Sequence, residues 1–298
     1  MRTAIFVAFA ATVLLNTAAS AQETIADYTS EMEHRTGYMS LHWDAEGGRL
    51  LLEVPAAGED FLYLQSLATG IGSNRLGLDR GMIGGEYIAR FERVGPKVFL
   101  TLQNPSFRVD QGYTDALARS VEESFPTSRV GAFEILAEEG GRVLVDATAY
   151  FLEDAMGIAA RIQGADQGTF RPDASRSSIF LERTKAFPLN TEIEAAITFT
   201  SDRPGTEIRR HTPDGRALTV RQHHSFVQLP DDGFQPRLFD PRIGLFAVGF
   251  WDYGKSFDED YVTRYAMRHR LQMQDPSAAV SSRYGWLWAP AAGVWRGS

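Results

Sequence analysis

The sequence predicts a mainly β or α+β fold, with an antiparallel, hairpin-rich sheet or a partly closed barrel and one or two covering helices. Most of the chain alternates apolar and polar residues in short segments, which is the period of half-buried strands. Short glycine-containing turns join several of these segments, and such short connections require antiparallel pairing. Hydrophobic residues make up 44% and charged residues 23% of the 298 residues. The chain can therefore bury a large core, and it is not disordered overall.

The first 21 residues have the pattern of an export signal peptide. Arg2 supplies a positive charge, residues 4–15 are apolar, and the small-x-small site Ala19-Ser20-Ala21 follows. The apolar run is shorter than the roughly 20 residues of a membrane-spanning helix, and a retained anchor is the alternative. We expect cleavage after Ala21, a periplasmic or secreted location, and a mature chain without a stable membrane span.

Three hairpins are predicted along the chain. In the first, residues 38–44 and 49–54 flank a glycine-containing turn, and the apolar side chains of the second strand share one face. The glycine-rich residues 69–85 are expected to form a flexible crossing loop. The other two hairpins join residues 86–93 to 97–103 and residues 128–136 to 142–151. The remaining predicted strands are residues 61–68, 191–200 and 217–229.

Two helices are predicted beside these strands. In residues 113–125 an apolar residue recurs every fourth position and Pro126 ends the run, so this helix is expected to cover part of the sheet. A weaker helical pattern covers residues 152–163. Residues 202–216 and 230–242 are rich in Pro, Gly and Asp and are predicted to be long surface loops.

Composition and motifs exclude several classes of protein. A net charge of −8 argues against a nucleic-acid partner, because such surfaces normally need an excess of basic residues. The absence of cysteine excludes disulfides, thiolate nucleophiles and Cys-ligated zinc. The sequence has no H-E-x-x-H zinc motif, no dinucleotide fingerprint, no phosphate loop and no G-x-S-x-G elbow. We therefore predict no catalytic, cofactor-binding or metal-binding residue.

The six histidines are predicted to be structural rather than metal ligands. His223 and His224 are neighbours in a predicted strand, so their side chains should point to opposite faces and cannot hold one ion together. His34 and His42 lie near the start of the chain, and the other two histidines are isolated. The alternative is that a carboxylate or another domain completes a site with one of them.

Four arginines are candidate interaction residues. Residues 261–271 alternate like a strand, which would place Arg264, Arg268 and Arg270 together on one face. Such a face can bind a carboxylate or an acidic partner surface. The alternative is an edge strand whose positive charges discourage aggregation. Arg80, in the glycine-rich segment, is the fourth candidate.

Five runs of sequence resemble one family of proteins, the large exported bacterial zinc-dependent metalloproteases. The match is to the uncharacterised domain that precedes their catalytic domain, and it covers roughly residues 36–276 of this chain. The runs occur in the same order in both and are LGLDRG at 76–81, FLERTKAFP at 180–188, LPDDGFQPR at 229–237, DPRIG at 240–244 and TRYAMRHRL at 263–271.

The resemblance implies a domain organisation and a place for the zinc. It makes residues 36–276 the β-rich domain, preceded by a lead-in at 22–35. It fades after residues 278–279, in the last segment of the chain, residues 277–298. That last segment is a divergent or truncated tail, with a natural exposed tail as the alternative. In the family, zinc ligands and general base lie further along, in a metzincin-like domain whose H-E-x-x-H helix has no counterpart here. No catalytic residue is carried over, and zinc is expected only in that missing domain.

The function expected from these observations is that of a noncatalytic module that is not active alone. It would pack on a protease domain absent from this chain, or present a peptide substrate to it. The alternative is a free-standing extracytoplasmic β module that binds peptide or glycan in a groove of aromatic residues. A hydrolase with paired carboxylates is a third hypothesis, supported only by scattered Asp and Glu. The aromatic residues of the alternative are Tyr87, Phe107, Trp251 and Tyr253.

Overall fold

The computed structural model describes residues 23–56, 58–110, 114–231, 233–268, 270–273 and 286–289. The fold is mainly β, with 42% strand and 15% helix, and its antiparallel sheet is nearly closed into a barrel. The predicted fold class is therefore confirmed. The predicted signal peptide lies outside the described residues, as does most of the predicted tail. In the part of the chain that the structure describes, no helix has the length and apolar character needed to cross a membrane.

The described strands and helices follow one another in this chain order. The strands are β1 (Glu33–Arg35), β2 (Leu41–Asp44), β3 (Arg49–Pro55), β4 (Phe61–Leu67), β5 (Ile83–Val94), β6 (Lys97–Leu102), β7 (Phe107–Arg108), β8 (Ser128–Glu139), β9 (Arg142–Asp146), β10 (Arg171–Pro172), β11 (Ser178–Ile179), β12 (Lys185–Phe187), β13 (Asn190–Thr200), β14 (Ala217–Gln228), β15 (Ala247–Asp252), β16 (Val262–Ala266), β17 (Arg270–Met273) and β18 (Trp286–Ala289). The α-helices are α1 (Ile25–Tyr28), α2 (Asp115–Ser124), α3 (Thr148–Phe151), α4 (Ile158–Gly164) and α5 (Thr206–His211).

The large sheet has thirteen strands in the order β1-β2-β3-β9-β8-β6-β5-β4-β14-β13-β10, with β11 and β12 also paired to β13. The predicted hairpins are present as β2–β3, β5–β6 and β8–β9. Hydrogen bonds between distant segments bring the two ends of the sheet together. Tyr38 N donates to Phe187 O over 2.7 Å, and Met39 N donates to Thr191 Oγ1 over 3.0 Å. These contacts explain why the sheet is nearly closed.

Aromatic side chains fill the main core inside the sheet. Phe226 on β14 is fully buried and lies against Tyr63, with 4.9 Å between ring centroids, and against Phe61 at 5.8 Å. Removing a side chain of this size from water stabilises a fold by roughly 1.5–3 kcal/mol. Phe151 of α3 and Ile158 of α4 belong to the same core cluster, so these two helices cover it.

The helices differ in part from the predictions. The strand predicted at 142–151 ends at Asp146, because the Asp146 carboxylate accepts hydrogen bonds from Thr148 N and Thr148 Oγ1, over 2.9 and 2.6 Å, where α3 begins. The weak helix predicted at 152–163 begins only at Ile158, after the left-handed Gly157. The loop predicted at 202–216 contains α5, which the buried Ile208 anchors.

Helix α2 confirms the stronger helix prediction but not its expected place. Its first turn is capped by Thr114 Oγ1, which accepts from Leu117 N over 3.3 Å. The helix lies beside β7, where the rings of Phe107 and Phe125 stack with centroids 3.9 Å apart. The covering role expected of α2 belongs to α3 and α4.

A smaller sheet has the order β16-β15-β7, with β7 parallel to β15. The strand predicted at 261–271 is not continuous, because β16 ends at Ala266 and β17 begins at Arg270. Strand β17 pairs with β18 instead.

Candidate functional site

The five sequence runs that carry the resemblance come together at two places in the fold. Runs 76–81 and 180–188 supply residues of one cleft beside β13 and β14. Runs 229–237 and 263–271 meet around β16, and run 240–244 begins one residue after Phe239, which also pairs with β16. There, Ala266 N donates to Arg237 O and Phe239 N to Arg264 O, both over 2.9 Å.

The first place, which we name the His223 cleft, has a volume of about 440 Å³. It lies on the face of β14 that carries His223, opposite the buried face that carries His224. Its lining residues are Ala68, Arg80, Arg183, Lys185, Phe187, Glu192, Glu194, Arg221 and His223.

The floor of the His223 cleft is a hydrogen-bonded pair of strands bearing charged side chains. Glu194 lies directly opposite His223 in the β13–β14 register. His223 Nε2 is 2.7 Å from Glu192 Oε2, and His223 Nδ1 is 3.5 Å from Glu194 Oε2. Arg221 Nε lies 3.1 Å from Glu194 Oε1. The contact between Arg221 and Glu194 is an ion pair but not a hydrogen bond. The buried Glu194 Oε1 accepts no hydrogen bond from any described residue.

Electrostatics in this floor favour a charged histidine between two carboxylates. Burial by itself would lower the pKa of His223, but hydrogen bonds and the charges of Glu192 and Glu194 outweigh it and raise the pKa. Burial likewise acts to raise the pKa of Glu192, but hydrogen bonds from His223, Ser225 and Asn190 outweigh it and lower the pKa. Both shifts stabilise the ion pair.

The rim of the cleft carries three cations. Arg80, Arg183 and Lys185 are exposed. Among the described residues none of their side chains forms an ion pair or a hydrogen bond. The rim therefore presents positive charge that the fold does not neutralise.

The second place, which we name the β15–β16 surface, exposes apolar side chains. Six of the twelve exposed large apolar residues in the described chain fall within residues 238–267. Phe246 is 85% and Trp251 46% exposed. The name denotes the exposed apolar residues in and beside β15 and β16, which are Leu238, Leu245, Phe246, Trp251, Phe257 and Met267, together with Arg264 and Arg268.

The prediction that Arg264, Arg268 and Arg270 share one strand face is wrong, because β16 ends at Ala266, before Arg268. Arg264 is exposed on β16 opposite Gly249. Arg268 donates from Nη2 to Gln235 O, and its guanidinium lies 4.6 Å from the centre of the Phe234 ring. Only the backbone of Arg270 is described, at the start of β17. A role for these arginines in binding stays a prediction.

The structure places one pair of histidines as the strand pattern predicts and brings a second pair together that was not predicted. His223 and His224 point to opposite faces, as predicted. His34 and His42 lie opposite each other on β1 and β2, with 2.7 Å between their Nδ1 atoms, and His42 Nε2 contacts Glu53 Oε1 at 2.7 Å. Strands β1 and β2 pair symmetrically about residue 38, which places residues 34 and 42 opposite each other. Recognising this hairpin in the sequence would have predicted the histidine pair. In the described ranges, no group of three or more His, Asp or Glu is arranged to hold a metal ion.

The aromatic residues of the binding-module hypothesis do not form one groove. Phe107 stacks on Phe125, and Tyr253 lies 5.5 Å from the same ring. Trp251 faces outward from the same small sheet. Tyr87, in contrast, lies on β5 of the large sheet, 6.4 Å from Tyr63.

A buried polar cluster lies behind the His223 cleft. The Tyr63 hydroxyl is 2.7 Å from His224 Nδ1 and 2.8 Å from the Tyr150 hydroxyl, and it accepts from Gln65 Nε2 over 3.1 Å. Burial raises the pKa of Tyr150 to about 12, and it raises the pKa of Tyr63 well above its usual value. Burial lowers the pKa of His224 to about 3. These groups are therefore neutral around pH 7.

A second basic region, which we name the arginine cleft, has a volume of about 1040 Å³. Arg176 pairs with Asp173 over 3.0 Å. Among the described residues, the side chains of Arg171, Arg203 and Arg216 form no ion pair. The lining is Gly168, Thr169, Arg171, Arg176, Thr200, Ser201, Asp202, Arg203, Asp214, Arg216 and Ala217.

The fold and its clefts define a mainly β domain that carries charged clefts on the outside of a nearly closed antiparallel sheet. Residues 81–274 match the family described as Domain of unknown function (DUF5117). The match covers more than half of the chain, which belongs to this family. Comparison with curated proteins and with solved structures gives no match. The large sheet extends beyond the matched residues, since β4 pairs with both β5 and β14.

Proposed function

We propose that this chain is a noncatalytic module of an exported zinc-dependent metalloprotease-like protein, and that it packs on a protease domain through the β15–β16 surface. The observation that carries this proposal is the concentration of exposed apolar side chains within residues 238–267. Two of the five runs that resemble the metalloprotease family meet at the same place, and a third, 240–244, begins beside it in the chain.

The composition of this surface suits a protein partner. Clustered exposed apolar side chains mark interaction sites more often than isolated ones do. Burying a side chain such as Phe246 or Trp251 would contribute roughly 1.5–3 kcal/mol. Arg264 and Arg268 would add charge-assisted hydrogen bonds to carboxylates of the partner.

The position of the surface favours a protease domain as the occupant. The family match ends at residue 274, eight residues after β16 ends at Ala266, so in a longer protein a domain joined after the match would be attached close in sequence to this surface. A tethered domain has an effective concentration in the millimolar range, so even a modest contact would stay formed. In this proposal the zinc and the catalytic groups belong to the partner domain.

Binding to a purified H-E-x-x-H protease domain tests the proposal. The domain would be taken from the same locus or from a protein whose N-terminal region matches the same family. By titration calorimetry we expect saturable one-to-one binding by the mature chain. Replacing Phe246 and Trp251 with Ser should weaken binding by at least about tenfold. The matched control, Val94→Ser with Leu117→Ser, removes exposed apolar side chains elsewhere and should leave binding within about twofold.

Two outcomes would end the proposal. One is the absence of binding by a folded wild-type chain with the protease domain at about 1 mM, which is the effective concentration that a tether supplies. The other is stoichiometric tight zinc, together with casein cleavage, in the purified chain alone.

A free-standing peptide- or glycan-binding module is the second candidate. The stacked rings of Phe107, Phe125 and Tyr253 beside the outward Trp251 favour it. Saturable binding from a peptide or glycan library that Trp251→Ser abolishes, without any protease domain, would support this candidate over docking.

A further inference from the structure

We infer that the His223 cleft binds a peptide through its carboxylates, with Arg80, Arg183 and Lys185 as the binding cations. This inference goes beyond the proposed docking function, because it concerns other residues and needs no protease domain.

The floor of the cleft is built in advance of binding. Glu192 accepts hydrogen bonds from His223 Nε2, Ser225 Oγ and Asn190 Nδ2, over 2.7, 2.5 and 2.5 Å. The Glu194 side chain is only 6% exposed and lies between His223 and Arg221. Preorganised polar groups lose little conformational entropy when a ligand binds.

Packing also holds the arginine of the floor in place. The Arg221 guanidinium lies 4.2 Å from the centre of the Phe180 ring, and a cation over an aromatic face is attracted to it. Arg221 is therefore committed to Glu194 and Phe180. The cations available to a ligand are those of the rim.

The charges of the cleft favour an anion. With His223 protonated, its charge and that of Arg221 balance the charges of Glu192 and Glu194, so the floor is neutral. The positive charge of the three rim cations then remains. In a chain of net charge −8, a cleft with this excess concentrates anions locally.

The shape and the apolar wall favour a peptide over a simple anion. A volume of about 440 Å³ accommodates more than one carboxylate. Phe187 lines the same cleft and is 44% exposed, so it offers apolar contact beside the cations. Arg side chains bind carboxylates in a bidentate manner. The carboxylates can come from Asp and Glu side chains or from a peptide C-terminus.

Fluorescence anisotropy with labelled peptides tests the inference on the mature chain. The probes are a Glu-rich peptide with an amidated C-terminus, its Gln-containing counterpart with a free C-terminus, and the same counterpart amidated. We expect saturable binding of at least one of the first two probes and none of the neutral third. Binding of the first but not the second assigns side-chain carboxylates, and the reverse assigns the C-terminus.

Two triple variants that remove the same charge test whether binding depends on the cations of the His223 cleft or on the overall charge of the protein. Arg80→Ser, Arg183→Ser and Lys185→Ser together should weaken binding by at least about tenfold. These side chains are exposed, so the variant should fold, and its thermal unfolding would be compared with that of the wild type.

The control variant removes the same charge from the arginine cleft. Arg171→Ser, Arg203→Ser and Arg216→Ser together should change binding by less than about twofold. Equal loss in both triple variants would show a general electrostatic effect and overturn the inference, as would no binding by the wild type. Displacement of the peptide by inorganic phosphate of equal affinity would assign the cleft to simple anions and overturn it too. None of these results bears on docking through the β15–β16 surface.

Discussion

Replacing the buried His224 with Phe should remove a pH-dependent loss of stability. His224 is fully buried, its Nδ1 contacts the Tyr63 hydroxyl, and its Nε2 has no hydrogen-bond partner. Burial lowers its pKa to about 3, whereas an unfolded chain would take up the proton near pH 6.5. The stability that a neutral His224 contributes is thus present above pH 6.5 and is lost as the pH falls toward 3.

The magnitude follows from these two pKa values. Between pH 7 and pH 5 the unfolded chain becomes protonated at this position while the folded chain does not, which costs the wild type about 2 kcal/mol. His223 acts in the opposite direction. Its pKa is raised, so its contribution is complete below pH 6.5 and is lost as the pH rises through the folded-state value. The lowered pKa of Glu192 matters only below about pH 4.5. Comparing wild type with His224→Phe cancels both of these effects.

Urea unfolding at pH 7 and pH 5 measures the difference. We expect the stability of the wild type relative to His224→Phe to fall by about 2 kcal/mol between the two conditions. Phe226→Leu is the control, because it weakens the same core without changing a titratable group. Its stability relative to the wild type should therefore be independent of pH. Parallel pH profiles for the wild type and His224→Phe would refute the reasoning.

Two further predictions concern a constrained turn and the cleft floor. Gly168→Ala should lower the free energy of unfolding by about 1–3 kcal/mol, because Gly168 has φ +100° and a Cβ there would lie 2.3 Å from Arg203 O. Gly48→Ala, at φ +64° with open space around it, should cost only about 1 kcal/mol in the same urea titration, and equal costs would contradict the steric argument. Glu192→Gln should lower the pKa of His223, because it removes the carboxylate that contacts Nε2. Titration of the His223 ring protons by NMR would show this, and an unchanged midpoint would contradict the assigned ion pair.

The strands could be predicted from the sequence because their signals are local. Alternation and short turns determine hairpins such as β5–β6, whose register continues to the Val94 and Lys97 pair next to the turn. Closure of the sheet could not be predicted, since it depends on contacts such as that between Tyr38 and Phe187, which are distant in sequence. Helix α5 was missed for the same reason, because burial of Ile208 is a tertiary effect that outweighs the surrounding turn residues.

Of the residues that line the His223 cleft, only Arg80 was predicted from the sequence as an interaction residue, and the arrangement of the cleft could not be predicted. Arg80 was a candidate from its position in the glycine-rich segment, yet the cations beside it, Arg183 and Lys185, come from a segment about a hundred residues later. The carboxylates of the floor depend on the β13–β14 register, which places Glu194 opposite His223. The alternation of residues indicates on which face of a strand each side chain lies. It does not indicate which distant strands pair and so bring two such faces together.

The sequence runs that resemble the metalloprotease family are divided between two places, and these places differ in chemical character. A surface that only stabilised the fold would be expected to bury its apolar groups and pair its charges. The β15–β16 surface instead leaves Phe246 and Trp251 exposed, and in the described part of the chain no acidic side chain pairs with the rim cations of the His223 cleft. One place is apolar and suited to a permanent contact, whereas the other is charged and suited to a reversible, salt-sensitive one. We therefore expect salt to weaken peptide binding in the cleft more than the proposed docking, in which burial of Phe246 and Trp251 contributes most.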